Sequence, residues 1–331
     1  MQQATTTSQR WLHRPEGSNW GDYGADDRLG RLNLIDDARR RAALREAVTG
    51  GVFCLSLPLD VGPGLNATRL PPRLQSVELG GRPKFNLCAS HIHSGLTDVI
   101  CDDQVTLFTQ YSTQWDSLCH AGSMFDADGD GVPEVRYYNG FGAADVVGSS
   151  ELGIGNMAAS CVQGRGVLLD LRRHFGDGRT VVGHEQLMAV LDRDQIAIEP
   201  GVMVCLHTGF ANHLLHGERD LTALANAGAV LDGHDPALLR WITDSALAVL
   251  IADNVAVEAR AGQPVVGYIG PLMPLHEHCL FKLGIHLGEL WHLTPLADWL
   301  HAHGRYRFLL TAPPLRLTGA AGSPVTPVAT V

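Results

Sequence analysis

The chain has 331 residues, 45% of them hydrophobic and 18% charged, the composition of a folded globular protein rather than a disordered or fibrous one. A formal charge of −10 disfavours nucleic acid and anionic membrane surfaces as partners, and no apolar run approaches the ~20 residues of a membrane-crossing helix. The first seventeen residues, polar and carrying Arg10, Arg14 and Pro15, lack the apolar centre of a signal peptide. They read as a surface arm (1–17) ahead of a single domain over 18–331. Cys54, Cys88, Cys101, Cys119, Cys161, Cys205 and Cys279 form an odd, scattered set without CxxC spacing, which suits buried free thiols in a reducing cytoplasm.

Taken in chain order, 18–27 is rich in turn formers and aromatics, an ordered loop. A helix is predicted over 34–48, with Asp36 and Asp37 in its first turn and Gly50-Gly51 as its stop, and a strand over 52–59. Residues 60–95 hold many Gly, Pro, Asn and Arg and read as a long irregular excursion, in which Ser90-His91-Ile92-His93 puts two histidines on one strand face. Between 109 and 120, acid, amide, hydroxyl and imidazole side chains crowd together: Gln110, Gln114 and Asp116 stand at even spacing, so an extended segment gives them one face, and His120 follows four residues after Asp116. Cys119 beside His120 reads as a small buried hydrophobe, with a nucleophile as the alternative.

Asp126-Ala127-Asp128-Gly129-Asp130-Gly131 matches the first half of a calcium loop, but Tyr137 stands at the twelfth position, where such loops carry Glu. An Asx-rich surface turn is favoured, with adventitious calcium as the alternative. The later chain alternates strands and helices: strands at 166–171, 202–207, 247–252 and 306–311, helices at 184–194, 220–231, 235–243 and 275–283, another from Thr294, and a short apolar stretch at 285–290 that contains Glu289. Asp235 with Pro236 makes an N-cap and first-turn proline. This is the pattern of an α/β core. His184-Glu185-Gln186-Leu187-Met188 lacks the second histidine of a zinc protease, and neither a P-loop nor a G-x-S-x-G elbow is present. Gly153-Ile154-Gly155-Asn156-Met157-Ala158 fits a loose G-x-G-x-x-A with no strand leading into it, so it reads as a glycine-rich turn rather than a dinucleotide site.

These features, in order, resemble the cyclase family that includes bacterial kynurenine formamidases and isatin hydrolases. The resemblance spans nearly the whole chain: Asn19-Trp20-Gly21 with Gly30 and Asn33; Asp103 leading into Ser112-Thr113-Gln114-Trp115-Asp116-Ser117-Leu118-Cys119-His120; Arg165 to Asp170; Thr208-Gly209; Asp253-Asn254 with Glu258; His276, Gly284 and Glu289; and the segments at 314–317 and 322–327. It implies a compact α/β domain of the swivelling β/β/α type, with a mixed, barrel-like sheet surrounded by helices, a homodimer or larger oligomer, and metal-dependent cleavage of amides. The family's hydrolases carry H-x-G-T-H-x-D-x-P-x-H. On this chain the metal positions become Gln110, Gln114 and Asp116, and the acid–base histidine becomes His120. Two imidazoles are thus replaced by amides, donors better suited to Mg²⁺, Mn²⁺ or Ca²⁺ than to Zn²⁺. The resemblance also assigns a distal histidine and glutamate to the metal: His276 with Glu289, thirteen apart, or His278, eleven before Glu289. Where an arginine is expected before Thr208-Gly209 there is His207, which reads as a buried strand-end histidine held by hydrogen bonds.

The expectation is therefore a hydrolase of a cyclic amide, lactone or formamide. His120, Asp116 and Gln114 carry the chemistry; Trp115, Trp20 and Thr113 contact the substrate; and Gln110, Gln114, Asp116, His276 and Glu289 surround a divalent ion (Mn, Zn or Mg) if one binds. Residues 60–95 and 121–150 are expected to wall the pocket. Two alternatives stay open: a metal-independent acid–base cyclase, in which Asp116 orients His120 and the amides act as oxyanion donors, and a small-molecule binding protein without catalysis.

Overall fold

The computed structural model describes residues 9–64, 68–146, 151–217, 220–259 and 268–331. Among the described residues, nine strands form one mixed sheet: β1 (Val52–Cys54), β2 (Gln114–Asp116), β3 (Gln163–Asp170), β4 (Met203–His207), β5 (Val249–Ala252), β6 (His286–Glu289), β7 (Arg307–Thr311), β8 (Gly322–Pro324) and β9 (Val328–Thr330). Their order is β1-β9-β7-β3-β4-β5-β6-β2-β8, and the sheet curls into a half-barrel flanked by helices. Strands β3 to β6 are parallel, and β2 then pairs antiparallel with β6 on one side and β8 on the other.

The middle strands are continuous apolar runs because both faces are covered. Alternate residues go to opposite sides, as the two-residue repeat of a strand requires. Val167, Leu169, Val204, Leu206, Leu250 and Leu287 join one buried cluster, while Leu168, Met203, Cys205, Val249, Ile251 and Phe308 join the other. The four parallel strands end on polar side chains or run straight into them: Asp170, His207, Asp253 and Glu289. Carboxyl ends of parallel strands are where α/β folds place their ligands.

Several predicted elements differ in extent. The helix expected over 34–48 is Asp37–Leu44, started by Asp36, whose Oδ1 accepts from the Arg39 amide at 2.7 Å. The strand expected over 52–59 stops at Cys54, ahead of Pro58. The 220–231 segment is a short helix, Leu221–Ala225, and then a strand, Ala229–Leu231, separated by Gly228 at φ 69°. The excursion after residue 60 folds into small two-stranded ribbons, Arg73–Ser76 with Asp103–Thr106 and Leu87–Cys88 with Val99–Ile100. Its paired histidines sit in and after a one-turn 3-10 helix, Ala89–His91, and are exposed rather than aligned on a strand. Residues 9–17 lie against the body through Trp11, packed edge-on to Trp20. Cys54, Cys88, Cys101 and Cys161 are exposed; only Cys119, Cys205 and Cys279 are the buried thiols the sequence suggests, and all seven are free. Gly153 closes tightly on Gly319 at the start of the helix Ile154–Ala159, so this glycine permits close backbone packing. No helix among the described residues is long and apolar enough to cross a membrane.

Candidate active site

The register of β2 against β6 builds the centre of the site. Gln114 stands directly opposite Glu289, and Asp116 opposite Leu287. Because Gln114 and Asp116 are two apart, both side chains leave the same face, and Trp115 between them leaves the other. Gln114 Nε2 lies 3.3 Å from Glu289 Oε2 and 3.4 Å from Asp116 Oδ1, so one amide donates to two buried carboxylates. Gln110 arrives differently. Strand β2 begins only at Gln114, and the turn before it brings Gln110 back over Asp116, its Nε2 3.2 Å from Asp116 Oδ1 and 2.7 Å from His120 Nδ1. His120 Nε2 is 3.9 Å from Asp116 Oδ1.

The opposite wall comes from the segment before β6. Pro274–His276 is a single helical turn that widens into a π-helix over Glu277–Lys282, an irregularity common at functional sites. It delivers His276 between two carboxylates, with Nδ1 2.8 Å from Glu258 Oε1 and Nε2 3.4 Å from Glu289 Oε1. Glu258 also accepts from the amides of Leu275 (3.0 Å) and His276 (2.9 Å), which ties the helix start to the loop after β5. That loop is bent by Ala256 at φ 73° and Val257 at φ 59°, and Leu290, next to Glu289, stands at φ 58°. Left-handed backbone is uncommon for residues with a side chain and unfavourable for a β-branched one, so both glutamates sit beside strained backbone.

Three buried carboxylates therefore face one buried imidazole. Burial raises the Asp116 carboxyl above its ordinary value, His120 nearby opposes that, and Glu289 reinforces it. Burial pulls His276 down, but its bonds to Glu258 and Glu289 outweigh it and hold the ring up at about 10. Glu289 is lowered: burial works against ionisation, and the His276 contact overcomes it.

The donors suit a divalent ion. Asp116 Oδ2 and Gln114 Oε1 are buried with no hydrogen-bond partner among the described residues. His276 gives its Nδ1 to Glu258 and turns Nε2 inward, the carboxylate–histidine arrangement that orients metal ligands. Asp116, His120 and His276 each offer a ligand atom within 4.8 Å of the others. Asp116 Oδ2 and Gln114 Oε1 add oxygen donors of the kind hard cations take beside these imidazoles.

Beside this centre is a cavity of about 650 Å³, whose lining includes the polar side chains of His120, His276, Ser123 and Glu277 and the apolar ones of Met124 and Leu272. Ser123 Oγ donates to Glu277 Oε1 at 2.6 Å. The walls come from 120–124 and 269–277, as expected for the first stretch, whereas none of the described residues of 60–95 is in the lining.

The three expected substrate contacts are not in the cavity. Trp115 is fully buried on the far face of the sheet, edge-on to Trp291, with Nε1 donating to Ala312 O. Trp20 is fully buried and donates to Phe281 O. Thr113 bridges backbone, accepting from the Leu57 amide at 2.8 Å and donating to Leu290 O. All three are buried in the core instead. Of the competing histidines, His276 is in the site, while His278 turns away to Thr243 Oγ1 at 2.9 Å. Cys119 Sγ packs on Ser117 Oγ and burial pushes its thiol up, the setting of a small buried side chain rather than of an activated thiolate. His207 is held between Asp170 and Thr294, as a strand-end histidine. The acidic turn closes on itself, Asp126 accepting from the amides of Gly129 and Gly131. Sequence reasoning missed two members, Glu258 and Glu277. Glu258 was visible only as part of the resemblance, and its role depends on a contact across eighteen residues.

Residues 53–259 match the family model for cyclases, described as "Putative cyclase". Among solved structures, the chain is similar to the crystal structure of a novel cyclase, 29% identical with a TM-score of 0.76, over 95% of this chain and 97% of that one. It is also similar in fold to isatin hydrolase A from Ralstonia solanacearum (15% identical, TM-score 0.57, 87% and 94% covered). The same enzyme from Labrenzia aggregata, bound to benzyl benzoate, is 13% identical with a TM-score of 0.56 over 85% and 93% of the two chains. No curated protein matches the chain in sequence.

Proposed function

The chain belongs to the cyclase family and is an enzyme of that family, and from this premise we propose that it hydrolyses the acyl C–N or C–O bond of a small cyclic amide, lactone or formamide. The observation that carries the reading is the placement of His120 on the cavity wall with its back against Gln110 and Asp116. Hydrolysis needs a proton removed from the attacking water and a proton supplied to the leaving atom. An imidazole that touches the cavity and is backed by a carboxylate suits that exchange. Asp116, His276 and Glu289 would hold a divalent ion, with Gln114 Oε1 as a further oxygen, and Glu258 would keep His276 turned toward it. When bound, such an ion supplies carbonyl polarisation and a more acidic water. The chain's own residues do the rest. Gln114 separates Asp116 from Glu289, and the Met124–Leu272 side of the cavity receives the apolar part of a substrate.

The test is a calorimetric titration with Mg²⁺, Mn²⁺ and Zn²⁺ alongside a turnover screen of formamides, lactams and lactones. Saturable binding of one ion and ring opening of at least one compound are expected. A protein that binds none of the ions and opens none of the rings rules the reading out. Ring closure of the open acids in place of ring opening favours the cyclase direction.

A further inference from the structure

Resting on the hydrolase reading, we propose that Gln110 is a positioning residue: it fixes which nitrogen of His120 carries the proton, and so presents the ring to the substrate as a hydrogen-bond donor. The Gln110 amide nitrogen lies 2.7 Å from His120 Nδ1 and 3.2 Å from Asp116 Oδ1. Which end of an amide is nitrogen is settled by its partners. Asp116 Oδ1 already accepts from Gln114, and an ionised carboxylate oxygen has no hydrogen to give. The Gln110 atom facing it is therefore the NH2 group. Should the Asp116 carboxyl take up a proton, that proton sits on Oδ2, the oxygen without a partner, and Oδ1 stays an acceptor.

The second hydrogen of the same NH2 group then points at His120 Nδ1, which must receive it with a lone pair. A neutral imidazole has one N–H, so the proton is on Nε2. Among the described residues Nε2 has no hydrogen-bond partner; Asp116 Oδ1, 3.9 Å away, is beyond hydrogen-bond reach. The ring stands at the cavity wall with 24% of its side chain exposed.

The proton bookkeeping of the reaction follows. His120 enters as a donor to the substrate's carbonyl oxygen, where charge develops as water attacks. As the acyl bond breaks, Nε2–H passes to the leaving nitrogen or oxygen and the vacated Nε2 takes the proton lost by that water, so the ring ends as it began. An Nε2–H also has no lone pair for a cation, so in this tautomer His120 does not join the ligand atoms of Asp116 and His276 that lie within 4.8 Å of it. The glutamine at 110 is thus matched to a histidine that donates.

The experiment is a long-range ¹H–¹⁵N correlation spectrum of the full chain labelled at histidine nitrogens, recorded as purified and with Mg²⁺ added, with His120 assigned by its loss in His120→Asn. The wild type is expected to show His120 protonated on Nε2 and bare at Nδ1. Gln110→Glu places an acceptor at Nδ1 and is expected to add a proton there, with kcat lower by about a hundredfold or more. Gln110→Met removes the donor and is expected to give a mixture of both tautomers. A wild-type spectrum with the proton on Nδ1 overturns the assignment, as does an unchanged tautomer in a folded Gln110→Glu protein. The wild-type spectrum decides the matter even where a variant fails to fold. If the tautomer is as expected and no compound is hydrolysed, the hydrolase reading fails and the assignment stands.

Discussion

Gln114 donates to Asp116 and Glu289 together and keeps two buried carboxylates from facing each other unscreened. An uncompensated buried charge is expensive, so at this position the amide hydrogens matter as much as the amide oxygen. Glu258 acts one layer further out: it touches neither the cavity nor Asp116 but holds His276 Nδ1 and two backbone amides. Exchange of Glu258 for Gln keeps the volume and removes the charge that orients the ring. Divalent-ion affinity is expected to fall about 10- to 100-fold, read by calorimetric titration, with the circular dichroism spectrum unchanged. An unchanged affinity in the folded variant would mean that Glu258 does not orient a ligand. Asp116 and His120 were legible in the sequence because they crowd into a short polar stretch. Glu258 was not, because a glutamate in a loop has no pattern until the fold brings it to His276.

Three elements meet at the site, and their junctions are tight. Gly284, at φ 60°, sits between the π-helix that follows His276 and the strand that carries Glu289. A Cβ there would meet Gly30 Cα at 2.6 Å and the Tyr138 ring at 2.7 Å. Gly284→Ala combines left-handed backbone with overpacking and is expected to cost roughly 2–5 kcal/mol, measured by denaturant unfolding. A loss within 0.5 kcal/mol would show that the junction relaxes freely. The π-helix itself was not legible. Apolar residues spaced over 275–283 suit any helix, so their spacing does not distinguish the wider turn. The even spacing of Gln110, Gln114 and Asp116 also suggested one extended face, yet the turn before β2 breaks it, and Gln110 meets Asp116 by folding back.

At the scale of the whole molecule, the parallel strands β3 to β5 were readable because each is an apolar run buried on both faces. The pairing that makes the site was not, because Gln114 and Glu289 are brought together across 175 residues by strand register. Burial also sets the acid limit of the fold. His286, on β6, is enclosed without a charged partner, and burial pushes it down to about 3. A histidine that is neutral when folded and protonates near its ordinary value of 6.5 when unfolded stabilises the fold above that value; the stabilisation is lost as pH falls toward 3. Its share of the slope is at most about 1.4 kcal/mol per pH unit. Replacement by Phe is expected to flatten stability against pH in that window, followed by urea unfolding between pH 4 and 7 (about the span this mechanism covers); an unchanged slope would contradict it. Turnover depends on His120 at the cavity wall, and this is measured most directly as kcat for ring opening by wild type and His120→Ala on one lactam or lactone substrate. A loss of about 10²-fold or more in kcat with KM little changed is expected. Equal kcat in the two folded proteins would contradict it.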